Sequence, residues 1–204
     1  MDILVWALLF VLFTSFLSNV SPFVGASYTL MATFQLTLLG FTPTNFILVV
    51  LLSATGATAA KVVIYYGAFG FREQLLKNKN VKLIGRYSLR SPFYLVLFLA
   101  AVLPVFPFDD FLFIGAGATS ASIGIMSGVT LLAKVVKSSV EVWLEFTILG
   151  DVAGLLGAQS LVVTGALTAA FVVIGIVIYS VDWERVLRRL EIVRKGDRGN
   201  PVPS

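Results

Sequence analysis

Residues 3–60 contain no Asp, Glu, Lys or Arg, and residues 152–181 are equally free of them. A helix crosses the hydrocarbon core of a bilayer with about 20 apolar residues, so each tract has room for at least one crossing. The sequence between them is also apolar, but prolines, small-residue runs and isolated charges interrupt it. Its pattern predicts four long helices, at about residues 3–17, 45–71, 123–149 and 152–181. The fold class expected is an all-α integral membrane protein.

Composition agrees with that pattern. Of 204 residues, 58% are hydrophobic and 13% charged, and mean hydropathy is +0.95. A soluble domain carries about 25% charged residues. Only Asp2 precedes the first apolar stretch, with no basic n-region, so residues 1–20 read as a transmembrane helix rather than a cleaved signal. There is no cysteine and no histidine. Disulfides, thiolate nucleophiles and Cys/His zinc sites are thereby excluded, as is the usual base of a serine nucleophile. An enzyme is not expected, nor is any cofactor.

The net charge is +4, and the basic residues are clustered. Arg72, Lys77, Lys79, Lys82, Arg86 and Arg90 face a single Glu73; Arg185, Arg188, Arg189, Arg194, Lys195 and Arg198 crowd the tail. This points to anionic headgroups rather than nucleic acid. The positive-inside rule puts both segments in the cytoplasm, so the chain between them crosses an even number of times. Three apolar tracts lie in that interval, hence one must enter and leave by the same face. The candidate is residues 91–117, centred on Pro104, Pro107, Asp109 and Asp110. Proline breaks the helical ladder and bare carboxylates are costly against lipid, whereas a re-entrant hairpin buried in protein tolerates both. A matching hairpin is expected at about residues 18–43, between breaks at residues 18–22 and 40–43, entering from the opposite face. The expected layout is an inverted pseudo-repeat of two hairpins and about four transmembrane helices.

Asp151 is expected at the outer turn between the last two helices. Residues 1–181 then form the transmembrane domain, and residues 182–204 a cytoplasmic amphipathic helix and tail. Trp183, Val186, Leu187, Leu190 and Val193 recur there at helical spacing opposite arginines.

Several charges fall inside the apolar segments. Lys61 lies ten residues before Phe71, which places it about 15 Å deep, near the midplane. Lys134, Lys137, Glu141 and Glu145 fall within an arc of about 80°, making one polar stripe on an apolar helix. The stripe is either the wall of a water-accessible cavity or a set of ion pairs gluing the bundle. Asp109 and Asp110 point about 100° apart on a helix, so only one need face the interior. Two such carboxylates require nearby cations, with Lys61 and Lys134 as the evident partners, or else one of them exchanges a proton. The small-residue run at residues 53–60 permits close helix approach.

At these residues the sequence resembles the DedA family, also known as the VTT or SNARE-associated membrane protein family. Residues 56–70, GATAAKVVIYYGAFG, resemble its glycine-rich helix; residues 103–110, LPVFPFDD, followed by Gly115-Ala116-Gly117, are similar to its second hairpin motif. Ser21-Pro22-Phe23-Val24-Gly25 looks like the first hairpin turn, with Pro22 and Gly25 at its bend. The resemblance spans residues 18–137. Bacterial members carry a glutamate where this chain has Ala26, and arginines where it has Leu103 and the Asp109-Asp110 pair. The resemblance implies a lipid flippase or scramblase moving a phospholipid or polyprenyl-phosphate. Lys61, Lys134 and Lys137 would then receive an anionic headgroup, while Asp109 and Asp110 gate or couple. A proton- or ion-coupled carrier of small solutes and a non-transporting membrane scaffold are the alternatives. Membrane lipids are the expected partners; proton coupling and self-association stay open.

Overall fold

The computed structural model describes residues 3–20, 28–88, 92–103 and 108–156, together with Val173. Among these residues the protein is wholly helical, with no strand: α1 (Ile3–Val20), α2 (Tyr28–Leu39), α3 (Pro43–Gly70), α4 (Arg72–Leu75), α5 (Lys79–Tyr87), α6 (Pro92–Val102), α7 (Phe108–Ala118) and α8 (Ile123–Leu156). Two helices are long and apolar enough to cross a membrane, α3 and the Ile123–Ile148 part of α8. By contrast, α6 and α7 have 11 residues each. At 1.5 Å per residue that is about 16 Å, half the thickness of the hydrocarbon core.

Local sequence explains the breaks. Between α2 and α3, Gly40 adopts φ 79°, and Thr42 caps α3 by accepting a hydrogen bond from the Asn45 N–H at 3.1 Å, with Pro43 opening the helix. The Asn45 side chain donates back to the Leu39 and Gly40 carbonyls. One short stretch thus ends α2 and starts α3. Of the break expected at residues 18–22, residues 18–20 are still helical, because α1 runs on to Val20 and Asn19 donates to the Ser15 carbonyl one turn back. A second expectation is corrected at the other end. Asp151 is not a turn, since α8 continues through Gly150 and Asp151 to Leu156. A lone glycine costs a helix about 1 kcal/mol and, without a following proline, does not end it.

Two apolar clusters organise the bundle. One joins Tyr65 of α3, Phe93 and Leu97 of α6, Phe113 and Ala116 of α7, and Met126 of α8. The other joins Val11 of α1, Ala32 and Leu36 of α2, Val49 of α3 and Val142 of α8. Along α3, Val49 precedes Tyr65; along α8, Met126 precedes Val142. The two long helices are therefore antiparallel. Close approach depends on small residues: a methyl on Gly56 would strike the Leu12 carbonyl of α1, and one on Gly117 the Tyr65 carbonyl of α3.

The outer surface is the reverse of a soluble protein's. Ile47 and Leu51 of α3, Leu95 and Leu99 of α6, and Leu132, Val140 and Trp143 of α8 are exposed, while Lys61, Lys134, Lys137, Asp109 and Asp110 are buried. Apart from Val173, the residues of the fourth predicted helix beyond 156 lie outside the described residues, as do the C-terminal amphipathic segment and the hairpin bends Pro22, Gly25, Pro104 and Pro107.

Candidate functional site

Between the two apolar clusters the three elements α3, α7 and α8 bring ionisable side chains together. Lys61 follows directly on the small-residue run of α3, where Ala57 and Ala60 are fully buried. Asp109 and Asp110 occupy the first turn of α7, where unpaired N–H groups favour negative charge. Lys134 and Lys137 lie on the inward stripe of α8. All five are buried, with Lys61 at 1% exposure and Asp110 at 2%.

The pairing is specific. Lys61 Nζ bonds Asp110 Oδ1 and lies 3.7 Å from Asp109 Oδ2. Lys134 Nζ meets the same Asp109 Oδ2 at 2.8 Å. Both aspartates therefore face inward, one more than the angle between them requires. The reason is that α7 starts in the groove between α3 and α8: the roughly 100° between consecutive side chains sends Asp110 to α3 and Asp109 to α8. Two lysines and two aspartates thus make a connected group of four.

One turn further along α8, Lys137 Nζ lies 3.8 Å from Glu141 Oε1. The Tyr28 ring at the start of α2 covers both lysines, with Lys134 Nζ 5.9 Å and Lys137 Nζ 5.7 Å from its centroid, a cation–π arrangement. Its hydroxyl lies 3.2 Å from Ser138 Oγ. Glu145, at the far end of the stripe, takes Thr29 Oγ1 at 2.8 Å and Thr33 Oγ1 at 2.7 Å. Among the described residues it makes no ion pair. The polar stripe is thus continuous from Lys134 to Glu145, and α2 supplies its opposing wall. Tyr28, Thr29, Thr33 and Ser138 are members that the charge pattern does not reveal. The four-residue spacing of Thr29, Thr33 and Thr37 is the signal they leave in the sequence.

Both short helices α2 and α7 begin beside the lysines and run away in opposite directions, α2 to the Val49 cluster and α7 to the Tyr65 cluster. Chemically, the arrangement holds fixed charges away from water in a form that a competing anion, cation or proton would rearrange. Among the described residues no group of three acidic side chains is placed to hold a metal ion. No family model matches this chain, and neither a curated protein nor a solved structure does.

Proposed function

We propose that this chain is a multi-pass integral membrane protein that carries lipids across the bilayer, a flippase or scramblase for a phospholipid or polyprenyl-phosphate. The supporting observation is the Lys61–Asp110 and Asp109–Lys134 group, buried well inside the two longest apolar helices while leucine, valine and tryptophan face outward. Taking an ion out of water costs several kcal/mol even after relaxation, so such a group is an expensive way merely to hold helices together. In this reading α1 is a transmembrane helix, α2 belongs to a first re-entrant hairpin at about residues 18–43, α6–α7 form the second hairpin of the inverted repeat, and the end bearing Arg72 to Arg86 is cytoplasmic. The resemblance to the DedA family points the same way. A headgroup phosphate entering the group replaces the aspartates as partner of Lys61 and Lys134, and the aspartates reclaim the lysines when the lipid leaves.

A second reading, ion- or proton-coupled transport of a small solute, has its own observation. The polar set contains four acidic side chains, two buried aspartates and two half-buried glutamates, against three buried lysines. Thr33 Oγ1, with one hydrogen, lies 2.7 Å from Glu145 Oε2 and 2.9 Å from the Thr29 carbonyl, both acceptors. A proton on Glu145 satisfies both contacts.

Reconstituted liposomes separate the readings. Fluorescent-lipid translocation by the wild type that collapses in Lys61→Ala and Asp109→Asn supports lipid transport. Flux of a soluble solute without lipid movement supports the second reading. If neither occurs and these substitutions change only thermal stability, the charges are structural and the protein is a scaffold.

A further inference from the structure

The segment joining α3 to α6 carries charge of the opposite kind to the buried group: it is exposed, and it is almost all basic. Arg72, Lys77, Lys79, Lys82 and Arg86 are all exposed, against the lone carboxylate of Glu73. On α5 the three cations Lys79, Lys82 and Arg86 stand at positions i, i+3 and i+7, within an arc of about 60°. The opposite face is packed. Gly85 and Ser88 are buried; a methyl on Gly85 would strike Thr119, and one on Gly115 would strike Ile84. Ser88 Oγ lies 3.1 Å from Thr119 Oγ1. The helix therefore presses its small and apolar residues onto the C-terminal turns of α7 and turns its cations outward.

Aromatic side chains border this surface. Tyr66, Phe69, Phe71 and Tyr87 are exposed at its margins, and the Arg72 guanidinium lies over the Phe69 ring at 5.5 Å. Exposed aromatic rings at the end of an apolar helix, followed at once by cations, mark the level where hydrocarbon gives way to headgroups. A basic cluster at that level matches an anionic bilayer surface, to which each Lys or Arg contributes about 1 kcal/mol.

We propose that α4 and α5 form a binding surface for anionic phospholipid headgroups, and that the contact of Gly85 and Ile84 with α7 transmits its occupancy to the helix carrying Asp109 and Asp110. This rests on the membrane reading above and adds to it a lipid-sensing control of the buried charges.

The test is hydrogen exchange of the whole protein in nanodiscs of zwitterionic lipid, with and without anionic phospholipid. Anionic lipid is expected to slow exchange in α5 and in α7 together, and added salt to reverse the effect. Replacing Lys79, Lys82 and Arg86 by glutamine leaves the face toward α7 intact. It should cut the anionic-lipid protection about fivefold per charge, the equivalent of about 1 kcal/mol each. Equal α5 exchange in both disc types overturns the binding surface; protection of α5 without α7 overturns the transmission. Protection that instead requires added RNA or an acidic protein assigns the surface to another partner and also overturns it. Fast exchange in α3 and α8 in all discs is a separate failure, that of the membrane reading, and lipid-translocation activity does not enter the measurement.

Discussion

The Lys134 ammonium reaches Asp109 Oδ2 at 2.8 Å, from a helix that starts after α7 has ended. That oxygen also lies 3.7 Å from Lys61 Nζ, so one carboxylate ties α7 to both long helices. Removing one member of such a group leaves its partner buried and uncompensated. Lys61→Met is expected to cost about 3–5 kcal/mol for that reason. Adding Asp110→Asn removes the stranded charge, and the double variant should regain most of the loss. Thermal unfolding in detergent reads both effects, and lipid translocation in liposomes then tests whether the pair is needed for transport. A double variant that is stable yet inactive marks the pair as functional. One that is stable and fully active removes the pair from any transport mechanism.

Glu145 tests a different balance. Its oxygens are met by the hydroxyls of Thr29 and Thr33 rather than by an ammonium. A glutamine there keeps an acceptor for Thr29 and offers an N–H to Thr33 Oγ1, much as a protonated acid would. Glu145→Gln is therefore expected to change stability by less than about 1 kcal/mol, whereas Thr29→Val and Thr33→Val each strip a buried donor and cost about 1–3 kcal/mol. Chemical denaturation of the three variants compares them directly. A Glu145→Gln cost as large as the threonine costs argues for a charged Glu145 with a partner of its own.

What sequence conveys here follows from the physics of each feature. Lys61, Lys134 and Asp109/Asp110 stand out because charge in an apolar tract is rare, and a helical wheel places the α8 stripe on one face without further information. The contribution of α2 does not stand out, because Tyr28 and the threonines are ordinary residues in an apolar helix and gain meaning only from what lies opposite. Which aspartate meets which lysine was hidden for a related reason. One helix predicts the angle between them but not that α7 starts with a cationic neighbour on either side. The end of α8 misled because charge and glycine at residues 150–151 look like a turn, yet no proline or cap stops the helix.

The small residues make opposite predictions according to their surroundings. A methyl on Gly56 collides with the backbone carbonyl of Leu12, which has no flexible end to move aside. Gly56→Ala should cost about 1–3 kcal/mol through overpacking. Gly67, on the same helix, has nothing within 4 Å of the added carbon, so Gly67→Ala should gain about 0.5–1 kcal/mol by limiting the unfolded backbone. The two melting temperatures, measured side by side, should move in opposite directions; a Gly56→Ala protein as stable as the wild type contradicts the close contact of α1 and α3.

The turn after α7 offers a prediction in which strain and a hydrogen bond meet. Ser120 has φ 60°, a left-handed conformation, and the N–H groups of Ser120 and Ala121 return to the Gly117 and Ala116 carbonyls. That is the closing pattern in which glycine is usual. A side chain there costs about 1–2 kcal/mol, so Ser120→Gly should raise stability, though by less than that figure because glycine also frees the unfolded chain. The Tyr65 hydroxyl donates to the Ala121 carbonyl at 2.6 Å and holds the same turn against α3. Tyr65→Phe leaves that buried acceptor without its donor and should cost about 1–3 kcal/mol. Because both residues act on one turn, their effects should not add: relieving the strain at Ser120 lets the turn keep its shape with less help from Tyr65. Thermal unfolding of the two single variants and the double variant measures that coupling, and strict additivity means that Tyr65 does not hold the strained turn in place.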